Sequence, residues 1–390
     1  MGETVRASGD AAGIGPDAWT DAYENAVLQA EAAARAGTFG VGGRLMGPFG
    51  ETLAVARNRV LEGGRLWDPT AHVERQLIDR LFAEKHAGKG PRGPEAATIV
   101  SSLEPCMMCA GAILIAGVNC VAIAEDPFAG VGVLRGFPAL PPTLRTVARQ
   151  RFSMPAVEGG RAGTPPAYGS LMPLPLPRET ERRSRTIFQE SLRRVREAVH
   201  TVSSVRDSET PGFLEADTTA SIDVPAIRSR VWSESISGGA RRPKPLEVLE
   251  EVGGGDGSKR QAACLVDESG ALVCAAGEAT DLSPIRTAVL ELIRLFALDA
   301  AGRHRRKASR LTLLVTMPFR SDEEIICSLG AVGSFLEGPI GARSLPYVQL
   351  VGATPQDIDH VHGLLARFPP FYTEYVGLSV GAASLRPTPS

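Results

Sequence analysis

The chain has 390 residues, about twice the common size of a domain, so two domains are the first expectation. Hydrophobic residues make up 43% and charged residues 22% of the sequence, which is ordinary for a protein that buries a core. The formal net charge of −2 excludes a general attraction to nucleic acid or acidic membranes, although it leaves room for a local basic patch.

No targeting or membrane signal stands out in the sequence. Residues 1–6 lack an apolar segment, and Arg6 stands where a myristoylation motif requires Ser or Thr. The best apolar stretch, residues 110–118, is about half as long as a transmembrane helix. We therefore expect a soluble, cytoplasmic protein with no membrane partner, whose closely spaced cysteines bind a metal rather than form disulfides.

The first part of the chain alternates helical and strand patterns. The predicted elements are a helix over 17–35, a hairpin of strands 41–46 and 52–58, a helix opening at Asp68-Pro69-Thr70, a strand over 98–103, a helix from 105 to 116 and a strand over 120–124. This order predicts a sheet covered by helices, an α/β sandwich.

The rest of the chain divides into an insertion, a linker and a second domain. A Pro/Gly-rich loop over 154–177 and a charged helix over 179–199 close the first domain. A Ser-, Gly- and Pro-rich stretch then separates this domain from an ordered region. We predict a first domain over 15–200, a linker over 201–260 and a second domain over 261–385.

The second domain repeats the order of the first, which predicts a duplicated fold. A second hairpin spans 263–276, and the helix 286–297 can be laid over residues 72–83, since both end in Leu-Phe-Ala. The strand 311–316 then matches 98–102. The alternative is that any two α/β domains look alike at this level.

Three residues of the first domain have the types and spacing of a catalytic zinc site: His72, Cys106 and Cys109. Three protein ligands suffice, and the fourth position is then left for water. The cysteines are three residues apart at a predicted helix start, so their side chains share one face, where the helix dipole favours thiolates. We expect His72 in the first turn of the preceding helix, at the same edge of the sheet.

Glu74 is placed to move protons beside such a metal. Zinc lowers the pKa of a bound water to near neutrality, which makes zinc hydroxide the nucleophile. A carboxylate two residues from His72 does not share its helical face and leans toward substrate. It can take the water proton and deliver it to a ring nitrogen and a leaving amine. The pattern predicts hydrolytic deamination of an exocyclic amino group, with Glu74 as the proton shuttle.

Each of these residues also has an ordinary interpretation. A lone His near a helix start is usually a polar cap, two cysteines three apart occur by chance, and Glu74 could be a solvated charge. A purely structural zinc site would need a fourth protein ligand, which the neighbouring sequence does not offer. The combination of His-x-Glu, a strand and Pro-Cys-x-x-Cys is much more specific than any single residue.

The full pattern resembles a known family. His72-Val73-Glu74 and Pro105-Cys106-Met107-Met108-Cys109 match the signature of zinc-dependent nucleobase deaminases. Further segments look like bacterial tRNA adenosine deaminases and guanine deaminases: Asp68-Pro69-Thr70-Ala71-His72, Leu103-Glu104-Pro105-Cys106 and Asp126-Pro127. The resemblance covers about residues 19–133 and implies the α/β/α sandwich of the cytidine deaminase-like superfamily.

The resemblance also implies substrate contacts. Asn58 falls where the family holds the base edge, Val41 where a small apolar residue packs on the ring, and Ala71 beside the metal ligand. Val73 departs from the usual Ala at its position. A purine is favoured, either adenosine in tRNA or a free base or nucleoside, which would place the protein in tRNA processing or nucleoside metabolism. A specialised small metabolite, or a non-catalytic RNA-binding scaffold with the same fold, remains an alternative.

The second domain departs from the family in its site. The overlay places Arg286 at the position of His72 and Ala288 at that of Glu74, with Cys327 as the nearby thiol, so we predict a degenerate domain without zinc. Because family members are dimers whose pockets are completed across an interface, the resemblance implies an intramolecular pseudo-dimer, with further oligomerisation open. The alternative is an unrelated packing role.

The charged helix over 179–199 bears on the choice between RNA and a small molecule. Its arginines could contact phosphates. Glutamates interleave with them, however, which favours an ordinary salt-bridged, solvated helix. The arginines concerned are Arg182, Arg183, Arg185, Arg193, Arg194 and Arg196.

Overall fold

The computed structural model describes residues 14–62, 65–89, 91, 93–164, 173–204, 229–231, 244–253, 260–267, 270–300, 311–337 and 347–383. Part of the predicted Pro/Gly-rich loop, most of the predicted linker and the end of the second domain lie outside these residues. Among the described residues, no helix combines the length and apolarity that crossing a bilayer requires.

The helices are α1 (Pro16–Arg35), α2 (Val73–His86), α3 (Met107–Ala116), α4 (Pro142–Arg151), α5 (Arg178–Ser204), α6 (Pro245–Val252), α7 (Ala288–Ala300), α8 (Asp322–Glu337) and α9 (Pro355–Leu365). The strands are β1 (Gly42–Met46), β2 (Thr52–Arg57), β3 (Leu61–Glu62), β4 (Arg65–Leu66), β5 (Thr98–Leu103), β6 (Asn119–Ala124), β7 (Phe152–Ser153), β8 (Ser229–Val231), β9 (Ala262–Val266), β10 (Leu272–Gly277), β11 (Thr312–Thr316), β12 (Tyr347–Val351) and β13 (Val380–Ala382). The predicted elements of the first domain are all present, with bounds shifted by a few residues.

The first half is an α/β/α sandwich, as predicted. Its sheet has the order β2-β1-β5-β6-β7, in which β1 is antiparallel to β2 and β5, and β5, β6 and β7 run parallel. Helices α1 and α5 cover one face, where Trp19 and Tyr23 pack on Val121. Helices α2 and α3 cover the other face, where Leu77 and Ile99 belong to the larger core.

The second half has a sheet of the same topology. Its strands run in the order β10-β9-β11-β12-β13, with the same antiparallel and parallel senses as in the first sheet. Backbone hydrogen bonds at the strand ends correspond as well: Asn58 N–H donates to Val41 in one half, and Glu278 N–H to Gln261 in the other. This shared pattern is what a duplicated fold requires.

Two elements of the predicted linker belong to the second half, one as a strand of its sheet and one as a helix that covers the sheet. Strand β8 pairs antiparallel with β10 at its edge, and α6 packs against β9 and β10. Residues Val248, Leu249 and Val252 of α6 are buried there. The apolar residues of α6 therefore cover a sheet face that the first half covers with α1 and α5.

The predicted overlay of the two halves is wrong by one residue at the metal position. Arg59 N–H donates to the Ala71 carbonyl, and its counterpart Ala279 N–H donates to Arg286. Arg286 therefore matches Ala71, and Thr287 takes the position of His72. The shared Leu-Phe-Ala run aligns the helix ends, whereas the helix starts are fixed by the strand that precedes them.

The predicted start of the second helix is also wrong. Asp68 does not cap a helix, because its carboxylate accepts hydrogen bonds from the backbone and hydroxyl of Thr70 in a turn. Helix α2 begins at Val73, and His72 is its N-cap residue. Helix α3 likewise begins at Met107 rather than at the predicted proline, with Cys106 as its N-cap.

The two halves meet where α3 and α8 pack against each other with their backbones in contact. A Cβ atom on Gly111 would lie 2.5 Å from the backbone nitrogen of Cys327. A Cβ atom on Gly330 would lie 2.2 Å from the backbone nitrogen of Met108. Since real Cβ contacts are never this short, glycine at both positions sets the distance between the halves.

We expect Gly330→Ala to lower the free energy of unfolding by about 1–3 kcal/mol or more, because the methyl group forces two backbones apart. Chemical denaturation of the full chain measures this. The control is Gly363→Ala on α9, where a new Cβ atom meets nothing within 4 Å. There, loss of backbone entropy in the unfolded chain should leave stability unchanged or raise it by up to about 1 kcal/mol. Equal effects at the two positions would contradict this account of the interface.

An ion cluster around Asp68 also links the halves. Its carboxylate lies 3.0 Å from Arg75 of the first half and 3.4 Å from Arg294 of the second, and it is buried. Burial raises the pKa of Asp68, but the two arginines and the hydrogen bonds from Thr70 outweigh it and lower the pKa overall. The charged form therefore stabilises the folded chain.

This shift predicts a loss of stability in acid. Because the folded pKa lies below the unfolded value of about 3.9, the contribution of Asp68 is fully present above that pH and lost as pH falls through the folded pKa. The Asp68→Asn protein should therefore show a shallower fall in unfolding free energy between about pH 5 and 2. Denaturation curves at several pH values test this, and identical slopes for the two proteins would refute it.

Candidate active site

The three predicted metal ligands meet at the starts of two neighbouring helices. His72 precedes α2, Cys106 precedes α3, and Cys109 lies in the first turn of α3. Their ligand atoms all lie within 4.8 Å of one another, and Cys106 Sγ is 3.5 Å from His72 Nδ1. The extended backbone of the two N-cap residues turns both side chains toward the same point.

This donor set fits a zinc ion. One imidazole nitrogen and two thiol sulfurs are ligands that zinc prefers, and the cluster within the described residues has these three members, which leaves one position for water or substrate. The pKa of the Cys106 thiol lies well below its usual value, because it accepts a hydrogen bond from the Cys109 thiol and lies beside His72. A thiolate is the form that binds metal.

Glu74 lies beside this cluster and lines the same cavity as His72 and Cys106. Its side chain is 3% exposed, and Ser101 Oγ donates a 2.7 Å hydrogen bond to its Oε1. Burial raises the pKa of Glu74 above its ordinary value, although the bond from Ser101 opposes the shift. A carboxyl group with a raised pKa is suited to taking up a proton and releasing it again.

The cavity above the cluster has a volume of about 560 Å³, including its open mouth. Asn58 and Val41, the predicted substrate contacts, both line it. The carboxamide oxygen of Asn58 accepts hydrogen bonds from Thr38 and from the backbone of Val60, so its amino group is the part that can donate to a ligand.

Ala71, the third predicted substrate contact, is buried and is not among the residues that line this cavity. Its carbonyl accepts hydrogen bonds from Arg59 N–H and from Gln76 Nε2. These bonds fix the backbone immediately before His72. The geometry thus gives Ala71 a part in holding His72 in place.

Two buried acids line the cavity that the sequence did not single out as functional. Glu104 accepts backbone hydrogen bonds from Val133 at 2.5 Å and from Asp126 at 3.2 Å. Burial raises the pKa of Glu104 to about 7 and that of Asp126 to about 6. Gly130 allows the loop backbone to lie against the Glu104 carboxyl group, since a Cβ atom on Gly130 would lie 2.5 Å from Glu104 Oε2. Glu104 and Asp126 both belong to the family motifs quoted in the sequence analysis. Those motifs do not reveal that the two side chains hold the loop over residues 126–133 by hydrogen bonds.

The second half contributes to the same site through a turn at Phe371–Tyr375. Phe371 lines the cavity. The hydroxyl of Tyr372, which is fully buried, accepts a 3.1 Å hydrogen bond from the backbone N–H of Met107, next to Cys106. These residues are 265 positions apart in the chain, so no local pattern could have indicated the contact.

Helix α5 closes the remaining side of the cavity with Phe188, Leu192 and Arg196. Its opposite face carries the ion pairs that the sequence predicted, such as Arg182 with Glu179. The helix is therefore solvated on one face only, because the other face covers the sheet and the site.

Residues 18–125 match the family described as the cytidine and deoxycytidylate deaminase zinc-binding region. Among curated proteins there is no match. One solved structure, from work on A-to-I editing by tRNA:A34 deaminases at the wobble position of transfer RNA, is 25% identical, covers 43% of this chain and 99% of that chain, and has a TM-score of 0.30. The matched range contains all three metal ligands and Glu74. Residues 18–125 of this chain therefore match the zinc-binding region of deaminases of the cytidine deaminase-like superfamily.

Proposed function

We propose that the chain catalyses hydrolytic deamination of an exocyclic amino group on a nucleobase-type substrate, with a purine favoured. The observation that carries this proposal is a buried Glu74 beside a His/Cys/Cys cluster, with Glu74, His72 and Cys106 lining one cavity. Replacement of an amine by oxygen needs an activated water and a group that moves protons, and the site offers both.

Zinc, when bound, supplies a Lewis acid that lowers the pKa of a water to about 7. The chain's own residues then handle protons and orientation. Because Ser101 Oγ holds Oε1 of Glu74, proton exchange falls to Oε2. That oxygen accepts a proton from water and returns protons to the ring nitrogen and the departing amine. The amino group of Asn58 donates to the base edge, and Val41 packs on the ring.

We further propose that the second half is an inactive partner within the same chain. At the position that corresponds to His72 it carries Thr287, and the residue before α8 that corresponds to Cys106 is Ser321. It nevertheless supplies Phe371 to the cavity and Tyr372 to the start of α3. The domains of this proposal are the predicted 15–200 and 261–385, to which β8 and α6 of the predicted linker add an edge strand and a covering helix of the second half.

Substitutions at the site should separate chemistry from metal binding. Glu74→Gln should keep zinc but lower ammonia release by about 10²–10⁴-fold, because the proton shuttle is lost. Cys106→Ala should lose the metal as well as activity, since two ligands remain. Zinc content by mass spectrometry and ammonia release from a panel of bases, nucleosides and transfer RNA measure both effects.

The control is Glu51→Gln, at an exposed turn of the first hairpin. Its zinc content and ammonia release should equal those of the wild type. Full turnover by the Glu74→Gln protein would contradict the assignment of Glu74 as the proton shuttle. Bound zinc without turnover of any substrate by the wild type would favour the scaffold alternative.

Loss of the Tyr372 hydroxyl tests the role of the second half. Tyr372→Phe leaves the buried N–H of Met107 without its acceptor, which costs about 1–3 kcal/mol. We expect a fall in kcat of roughly 5–100-fold, or weaker zinc retention against a chelator. The matched control is Tyr23→Phe, which removes a hydroxyl bonded to Leu174 far from the interface. If both variants lose stability equally and neither loses activity or zinc, the second half does not support the site.

A further inference from the structure

Strand β2 is the longest edge strand in the described part of the chain. It lies at one end of the first sheet, and among the described residues it pairs with β1 alone. The other strands at sheet edges are shorter, since β3, β4 and β7 have two residues each and β8 and β13 have three each. An edge strand presents backbone N–H and C=O groups to any strand that approaches, and β2 presents them over six residues.

The sequence of β2 has few of the features that protect an edge strand. Such strands are usually protected by charged side chains, by proline, by a bulge or by a covering segment. The one charged residue of β2, Arg57, pairs with Glu62 of the same chain at 2.9 Å. Val55 is nonetheless 46% exposed in the middle of the strand, and Phe49 in the preceding turn is 72% exposed. The remaining protective feature is a bulge at Leu53.

Strand β10 of the second half corresponds to β2 residue by residue. Each strand skips one residue in its pairing with the strand before it, Leu53 in β2 and Val273 in β10. Residues 54–56 of β2 therefore correspond to residues 274–276 of β10. Those residues of β10 pair antiparallel with β8 and are buried, whereas β2 is exposed or half-buried throughout. The shared bulge thus does not prevent a further strand from adding at this edge.

The residues of β2 beyond the bulge are complementary to themselves. Residues 54–56 read Ala-Val-Ala, which is the same in both directions. When two copies pair antiparallel about a two-fold axis at Val55, Val55 of one copy lies opposite Val55 of the other, and Ala54 of each copy lies opposite Ala56 of the other. The valines then form an apolar cross-strand pair, and the small alanines on the opposite face allow close approach. A second copy of this chain therefore fits the edge.

We infer that the outer edge of β2 is an interface between two copies of this chain, formed by antiparallel pairing of residues 54–56. The pairing joins the first sheets of the two copies into one continuous sheet. A two-fold interface of this kind closes on itself, so it leads to a dimer and not to a fibre. Because three residue pairs from each copy bury little surface, the dimer dissociates on dilution. The inference is independent of the proposed function, since neither zinc nor substrate takes part in the pairing.

Charged substitutions at Val55 test both the interface and the position of its two-fold axis. Val55→Lys and Val55→Glu each place two like charges directly opposite each other, which destabilises an antiparallel pair. Sedimentation velocity of the full chain at several concentrations should show the dissociation constant of the dimer rising roughly fivefold or more in each variant alone. An equimolar mixture of the two variants should dimerise again, because lysine then lies opposite glutamate.

The control is Leu28→Lys, which introduces the same charge at an exposed position of α1 and should dimerise as the wild type does. Circular dichroism and zinc content should be the same in all variants, which shows that each has folded. Recovery in the mixture is the result that a merely structural defect at Val55 cannot produce. A mixture that stays monomeric would overturn the two-fold pairing at Val55.

Hydrogen exchange of the wild type distinguishes a second copy from other covers of this edge. The backbone amides of residues 54–56 that point away from β1 should be protected at high concentration and should exchange faster on dilution or in the Val55→Lys protein. A protein that is monomeric at every concentration while these amides stay protected would show that another segment of the same chain covers the edge, and would overturn the inference. A monomer in which they exchange freely would overturn it as well.

Discussion

The close backbone contact between α3 and α8 is the constraint on which the rest of the structure depends. Gly111 and Gly330 bring the helix that carries the metal ligands against the second half. At that distance Tyr372 can reach the first backbone N–H of α3, and Phe371 can reach the cavity. A wider spacing would leave the start of α3, and with it Cys106 and Cys109, without this support.

Buried carboxylates follow two different rules in this molecule. Asp68 is buried with two arginines, which lower its pKa and keep it charged as a link between the halves. Glu74 is buried with a hydroxyl instead, so burial raises its pKa and the group can exchange a proton. The partner of each acid thus decides whether burial leaves the carboxylate charged or raises its pKa.

The second half keeps the architecture of the first while its site has changed chemically. Gln261 and Glu278 take the places of Val41 and Asn58, so a polar and a charged side chain stand where the first half has its predicted substrate contacts. Close by, Arg320 forms a two-fold hydrogen-bonded pair with Glu324. An internal ion pair of this kind fixes the chain without a metal, which is consistent with a domain retained for its surface.

The sequence alone predicted the three residues of the His/Cys/Cys cluster and Glu74 beside them, because His-x-Glu and Cys-x-x-Cys fix their chemistry through local spacing. It also determined the sandwich, since periodicity is a local property. The tertiary structure alone decided that Asp68 pairs with Arg294 of the second half, that Arg183 of α5 pairs with acids of α1, and that Phe371 and Tyr372 reach the site of the other half. These features depend on contacts between residues far apart in the chain, and such contacts are set by packing rather than by any pattern of neighbours.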